Sequence, residues 1–491
     1  MNPIKRLAGQ TLTYGVSSII GRFLTFLLVP IYTRVLSPAE YGVVTDWYSV
    51  AGFLLVVLPY GMETAFFRYS KKRDGDQNVY ATAFRSVLTS TLAFLGLTLI
   101  FSQSLADASG YSNFPEYVIW FAFILSFDTI AALPFARLRF ENKAVRFASI
   151  KLIELGVNIG INLFFLVLCR QAWLQDPNSF FGNLFNPAFG VGYIFVANLA
   201  ASAVKLLLLS PEFRSLGGQF KKDLWKEMLT YGAPLVLVGL AGIINEMLDR
   251  QLLKYMLPFS KEENLAQLGI YGANYKLAVF MNLFIQAFRY AAEPFFFQQS
   301  DDKNSKRIYA DVLKYFVIAG ALVFLTITLF IDQFRFFIGK EYWSGLELVP
   351  ILLLANLFLG IVVNLSIWYK LTDKTMLGAA VAIGGAMITV ILNILWIPTM
   401  GIEGSAWATL VCYSSMAVVS YLLSRKYFPV PYQLLRILAY LFLAVLIFMV
   451  FNELKDRVEV LVYHISAVVS ILCFAVFAFS VEKREWGAWK V

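Results

Sequence analysis

One histidine, His464, and three widely separated cysteines, Cys169, Cys412 and Cys473, are all the imidazole and thiol that 491 residues contain. A histidine-based metal cluster or a Ser-His-Asp constellation cannot be assembled from one ring inside an apolar run, so His464 is expected in a core or an interface. The thiols lie in or at the ends of apolar stretches, which predicts buried structural residues and excludes a disulfide framework or a CxxC metal site. The phosphate-binding pattern GxxxxGK[ST] is absent, so this chain is not expected to hydrolyse a nucleotide itself. Asp74-Gly75-Asp76 has the DxD form of some metal-dependent glycosyltransferases, but it stands in a short basic loop with no nucleotide-binding domain around it. Neither a metal nor a cofactor is expected.

Charge is scarce as well. Asp, Glu, Lys and Arg make up 15% of the chain and hydrophobic residues 59%. The apolar runs approach the ~20 residues that a helix needs to cross a bilayer, and they are apolar all round, unlike the one-sided stripes of a soluble helix. The fold class expected is an all-α polytopic membrane protein with about fourteen transmembrane helices, the first near residues 10–32 and the last near 460–480. Lys5 and Arg6 precede a full-length span with no small-residue cleavage site after it, so that segment is expected to remain as the first helix.

The net charge of +9 does not point to nucleic acid, because the basic residues sit in short segments between spans. With both termini placed in the cytoplasm, the inside segments hold about threefold more Lys and Arg than the outside ones, as the positive-inside rule requires. The longest outside segment runs only from Arg170 to about Pro187. A polymerase or ligase, which needs catalytic residues presented outside, has no large loop here to carry them.

The chain also repeats itself. Leu12-Thr13-Tyr14-Gly15 recurs as Leu229-Thr230-Tyr231-Gly232, and Tyr41-Gly42 recurs as Tyr271-Gly272. At a shift of 231, residues 138–143 fall on 369–374 and Asn162 falls on Asn393. Two pseudo-symmetric six-helix bundles are therefore expected, related by an axis along the membrane normal because each has an even number of helices. The expected domains are 1–213, 214–428 and a final pair of helices with a tail at 429–491.

A charge at mid-membrane costs about 2.5–3.5 kcal/mol on insertion scales, so the few present direct attention to a partner or a wet cavity. Lys151, Lys205 and Arg436 lie near the expected cytoplasmic ends of their spans and are read as snorkelling. Arg22 falls near the middle of span one with no carboxylate in the same helix. Span seven carries Asn245, Glu246, Asp249 and Arg250, and the spacing places the three charges on one helical face. The Tyr-Gly motifs set Asp46 of span two opposite Lys276 of span eight. The candidate site is thus Arg22, Arg250 and Lys276 for an anionic group, with Asp46, Glu246 and Asp249 to balance charge or take protons. Asp128 and Glu154 are further candidates. The alternative reading of the same residues is a set of buried ion pairs that lock the halves together.

The opening LTYGVSSIIGRFLTFLLVPIYTRVLSPAEYG, the segment LPFARLRFENKAVRFASIKLIE from Leu133, DRQLLKYML and GIYGANYKL, and LNILWIPTMGIEGSAWATL from Leu392 together resemble the polysaccharide transporter family. This is the Wzx-type O-antigen and capsule flippase group within the multidrug/oligosaccharidyl-lipid/polysaccharide superfamily. The resemblance covers about residues 5–424. It implies two six-helix bundles in a V, MATE-like, around a central cavity, with alternating access and no enzymatic activity. The cargo it implies is a polyprenyl-diphosphate-linked oligosaccharide, moved across the bacterial cytoplasmic membrane. Membrane lipids, H+ or Na+, and the polysaccharide polymerase machinery are the partners implied. Asp249-Arg250 and Lys276 match family positions, whereas the last two helices, a lipid-tail groove in lipid II flippases, carry no matching motif. A cation-coupled multidrug or metabolite exporter of the same superfamily, or a lipid II flippase, is the alternative.

Overall fold

The computed structural model describes residues 21, 23–73, 75–214, 217–298, 304–455 and 457–486. Every regular element among them is helical. Arg22, Asp74 and the first copy of the Leu-Thr-Tyr-Gly motif lie outside the described residues.

Among the described residues, ten helices are long and apolar enough to cross a bilayer, or eleven when the bent pair Gly182–Phe189 and Gly192–Leu208 counts as one span. Their outer faces are hydrophobic: Ile100 is 75% exposed, Leu435 84% and Leu461 70%. Such a surface is stable in lipid and not in water. The protein is a multi-pass membrane protein. The expected count of fourteen spans differs from eleven for three reasons. Most of span one is not described, Thr375–Tyr427 joins two spans, and Lys261–Gln298 is more polar than its neighbours through Asn274, Lys276, Asn282 and Gln286.

The chain forms two compact units, Met1–Gly269 and Ile270–Val491. The first contains α1 (Val29–Val35), α2 (Pro38–Val57), α3 (Met62–Lys72), α4 (Gln77–Ile100), α5 (Ser102–Ser109), α6 (Pro115–Phe140), α7 (Ala144–Leu163), α8 (Gly192–Leu208) and α9 (Lys222–Met256). The division falls inside α10 (Lys261–Gln298). The second unit continues with α11 (Ser305–Leu329), α12 (Leu348–Leu365), α13 (Thr375–Tyr427), α14 (Leu434–Leu454) and α15 (Val460–Trp486).

Local sequence explains the joints. Ser37-Pro38-Ala39-Glu40 opens α2 with a capping box: Ser37 Oγ accepts the Glu40 amide at 3.3 Å, and the Glu40 carboxylate accepts the Ser37 amide at 2.8 Å. Pro38 suits the first helical position because its missing N–H would have no partner there. Asp76 caps α4 by accepting the Asn78 amide, so this member of the DxD triplet has a helix-capping role.

The duplicated motifs mark places where backbones touch. A Cβ on Gly42 would lie 1.9 Å from the Leu265 carbonyl oxygen, and one on Gly269 would lie 1.9 Å from that of Pro38. Start of α2 and start of α10 therefore cross at backbone distance. Gly61 (φ 75°), at the break between α2 and α3, meets Gly232 of α9 in the same way, with 2.4 Å from its ideal Cβ to the Gly232 oxygen. Tyr41 and Tyr271, the partners in the two Tyr-Gly motifs, are both buried.

The 231-residue repeat is visible in local geometry. Asn142 (φ 57°) and Asp373 (φ 54°) share the left-handed conformation, which among the described non-glycine residues only Tyr60 also adopts. Asn162 and Asn393 are both fully buried, and each donates through Nδ2 at 2.8 Å to the carbonyl four residues back. A further correspondence was not read from the sequence: Pro187-Ala-Phe-Gly190-Val and Pro398-Thr-Met-Gly401-Ile. Gly190 (φ 46°, ψ −120°) bends the chain into α8, and Gly401 (φ 62°, ψ −139°) breaks α13 into two helices. Only glycine adopts such angles at low cost.

Gly42→Ala and Gly269→Ala are expected to lose about 1–3 kcal/mol by overpacking, read as a lower midpoint of thermal unfolding of the detergent-purified protein. Gly96→Ala, with no atom within 4 Å of the added methyl, should be neutral or stabilising in the same assay.

Candidate functional site

Among the described residues, two clusters of buried charge in the first unit join separate helices. In one, Asp128 of α6, Lys151 and Glu154 of α7, and Lys205 of α8 meet across three packed helices. Lys205 is 3% exposed, and its Nζ lies 2.6 Å from Asp128 Oδ1 and 2.5 Å from Glu154 Oε1. Ser202 donates to the same Asp128 oxygen at 2.7 Å, and Lys151 reaches the other oxygen of Glu154 at 3.0 Å. An open cleft of about 280 Å3 runs along this group and is lined also by Glu63, Arg139 and Phe135. Arg139 is paired with Glu63, and Lys151 lies 4.7 Å over the Phe135 ring. Pro134 interrupts the hydrogen-bond ladder of α6 between Asp128 and Arg139.

Lys205 was expected to snorkel. It does the opposite, because two carboxylates from neighbouring helices hold it in the interior. Lys151 keeps the half-exposed position of a snorkelling side chain, and Arg436 is likewise half-exposed while reaching Glu482 at 3.4 Å.

The second place is centred on Asp46 of α2, which is 1% exposed. Lys254 of α9 lies 2.5 Å from its Oδ2, Tyr111 donates to the same oxygen at 2.7 Å, and Gln251 Nε2 donates to Oδ1 at 2.6 Å. Lys254 also donates to the Ser109 carbonyl at 2.9 Å and packs over the Tyr111 ring. Tyr111 stands in the link between α5 and α6. Burial, and then the Asp46 carboxylate, push its hydroxyl far above the ordinary tyrosine range, so it is a permanent donor.

The Tyr-Gly alignment set Asp46 and Lys276 at equivalent positions of the two halves. Asp46 takes its cation from Lys254, and Lys276 is exposed on α10 among buried neighbours. Lys254 was missed, yet it had a signal: Glu246, Arg250 and Lys254 follow one another at four-residue spacing on α9. Of the three charges expected on one face of span seven, Asp249 and Arg250 are buried and Glu246 is exposed. Arg250 Nη1 bonds Asp249 Oδ1 at 2.9 Å and also the Glu246 carbonyl.

Among the described residues the second unit has one comparable site. Lys314 of α11, with no exposure, lies 2.5 Å from Glu482 of α15 and 3.2 Å from Asp311. Tyr440 and Arg436 of α14 also reach Glu482. This cluster holds the last two helices on α11. His464 sits on the exposed side of α15 in contact with Gln333, an inter-helix role. Cys169 and Cys412 are buried as expected, but Cys473 is exposed, because it falls on the outward face of α15. Among the described residues no group of His, Cys, Asp and Glu could hold a metal ion.

Asp46→Asn or Lys254→Met alone should cost about 3–5 kcal/mol, because each leaves one charge buried without its partner. The double variant should be less destabilised than the sum of the two, with the coupling read from a thermal-unfolding double-mutant cycle.

The sequence profile of the family described as "Polysaccharide biosynthesis protein" matches residues 7–300. No curated protein compared with the chain matches it. Among solved structures, the lipid II flippase MurJ in an inward closed conformation is similar with a TM-score of 0.71 and 14% identity, covering 95% of this chain and 98% of that one. An inward-facing multidrug resistance MATE family transporter of the MOP superfamily is similar at 0.65 and 16% identity, over 85% and 94%. An outward-facing MATE transporter is similar at 0.59 and 15% identity, over 90% and 99%. The fold is that of these transporters.

Proposed function

The chain belongs to the polysaccharide biosynthesis protein family, and from that premise we propose that it is a flippase for polyprenyl-diphosphate-linked oligosaccharide, the repeat unit of an O-antigen, capsule or exopolysaccharide. The family match over residues 7–300 carries this reading, and the similarity to a structure named as a lipid II flippase supports it. The membrane is the bacterial cytoplasmic one, with both termini in the cytoplasm and transport by alternating access.

The physics of the cargo fits the residues present. A diphosphate that leaves water loses its hydration, and arginine or lysine in a low-dielectric setting replaces it with charge-assisted hydrogen bonds. Arg22, Arg250 and Lys276 are the proposed headgroup contacts. Arg250 is held by Asp249, so the buried arginine has a counter-ion that a phosphate oxygen can replace. Asp46, Glu246 and Asp249 balance charge or accept protons that reset the cycle, with H+ or Na+ as the coupling ion. The polyprenyl tail stays in lipid, and a polysaccharide polymerase takes the delivered unit.

The second reading is a cation-coupled exporter, favoured by the similarity to multidrug resistance MATE transporters. Purified protein in liposomes with a fluorescent polyprenyl-diphosphate oligosaccharide separates the two. Protein-dependent access of the label to an outside quencher is expected, slowed about tenfold or more by Arg250→Ala or Lys276→Ala, a loss of about 1.4 kcal/mol. No movement of the lipid, beside gradient-driven uptake of a small organic cation, would establish the exporter instead.

A further inference from the structure

We propose that the cleft beside Lys205 is a second anion site, which binds a phosphate-bearing lipid headgroup by exchanging it for the carboxylates that occupy its cations when empty. The inference deepens the flippase reading and rests on it for the identity of the lipid.

Three cations face this cleft or its inner wall, and each already holds a carboxylate: Arg139 has Glu63, Lys151 has Glu154, and Lys205 has Asp128 and Glu154. The set is neutral as a whole. A neutral, fully paired network needs no opening if its task is to staple helices. Here the side chains of Lys151 and Arg139 are 42% and 36% exposed, and Asp128 is 26% exposed on an open cleft of about 280 Å3. The cations are thus stored in charged form at low cost, within reach of a ligand that enters from outside the unit.

The ligand class follows from the charges. Three cations, one of them an arginine with a planar fork, suit a group with two or three negative charges and several acceptor oxygens, which a phosphate or diphosphate supplies. A lipid is indicated by the flanks: on α7, Leu152 and Ile153 beside Lys151 are 44% and 45% exposed, and Val145 is 77% exposed. A headgroup can therefore reach the cleft while its tail stays in the hydrocarbon.

Exchange has a proton balance. When phosphate oxygens take over Lys205 and Lys151, Asp128 and Glu154 lose their cations in a setting of low dielectric. The exchange we propose balances that charge with a proton from solvent, which enters through the open cleft. The charged and titratable groups around the two carboxylates are Arg139 on α6, Lys151 on α7, Lys205 on α8, Glu63 on α3, and Tyr48 on α2, which acts on Asp128 electrostatically. None of the cations is freed from the network without an anion to replace its partner.

Calorimetric titration of the full-length protein in nanodiscs with polyprenyl diphosphate, in buffers of different ionisation enthalpy, tests this on the wild type alone. Uptake of about one proton per lipid is expected, with affinity falling about tenfold per pH unit. Glu154→Gln should bind more tightly at pH 8 and flatten that slope. Lys151→Gln, altered at a half-exposed position that tolerates change, should weaken binding about tenfold or more. Binding without proton uptake, or both variants matching the wild type in affinity and slope, would overturn the site. Equal binding of phosphatidylglycerol or of inorganic pyrophosphate, with the same variant pattern, would keep the anion site and overturn its assignment to the cargo lipid. If the liposome assay shows no flipping while this pattern holds, the functional reading fails and the anion site stands. If flipping proceeds and the two variants change nothing, the anion site fails alone.

Discussion

Moving a charge from water into a protein interior costs several kcal/mol even after relaxation, and in a membrane protein no solvent waits at the helix surface to relieve it. Four lysines and arginines are buried among the described residues, and each lies against a carboxylate. Lys205 binds α6, α7 and α8 together, Lys254 binds α9 to α2 and to the end of α5, and Lys314 binds α15 to α11. Arg250 alone finds its carboxylate next door in sequence. Since lipid removes most of the hydrophobic driving force between helices, these pairs and the close glycine crossings carry a large share of the specificity of packing.

The glycine crossings and the ion pairs occupy the same joints. Gly42 lies one turn before Asp46 on α2, and the backbone contact it permits with α10 accompanies the contact of Asp46 with α9. The repeat preserves backbone events and not charges. Asn142 and Asp373 turn the chain alike, Gly190 and Gly401 break it alike, and Asn162 and Asn393 bond alike, whereas at the 231-residue shift Asp128, Lys151 and Glu154 fall on Leu359, Ala382 and Gly385. Duplicated geometry with diverged charge allows each unit its own chemistry.

On the proposed reading, a transporter of anionic lipid, the chain has to hold cations ready in a medium that disfavours them. Unpaired, a buried lysine would give up its proton, and permanently paired, it would be unable to bind cargo. The paired cations along an open cleft in the first unit answer both demands, because exchange of one anion for another leaves the surroundings of the cation nearly unchanged.

Hydropathy and length made the helical class and the membrane setting legible, because each depends on composition summed over twenty or more residues. The motifs Tyr41-Gly42 and Tyr231-Gly232 were legible as repeats, but their reason, contact between backbones, appears only when the helices cross. Asp46, Asp249, Arg250, Asp128 and Glu154 stood out because a charge in an apolar run is conspicuous on its own. Which cation each carboxylate takes did not follow, since the partners lie up to 208 residues apart and nothing local to Asp46 names Lys254. By itself the sequence determined that a charge inside an apolar run has to be paired. Only the packing of helices decided with what, because an ion pair depends on a separation of a few ångströms that the chain establishes after it has folded.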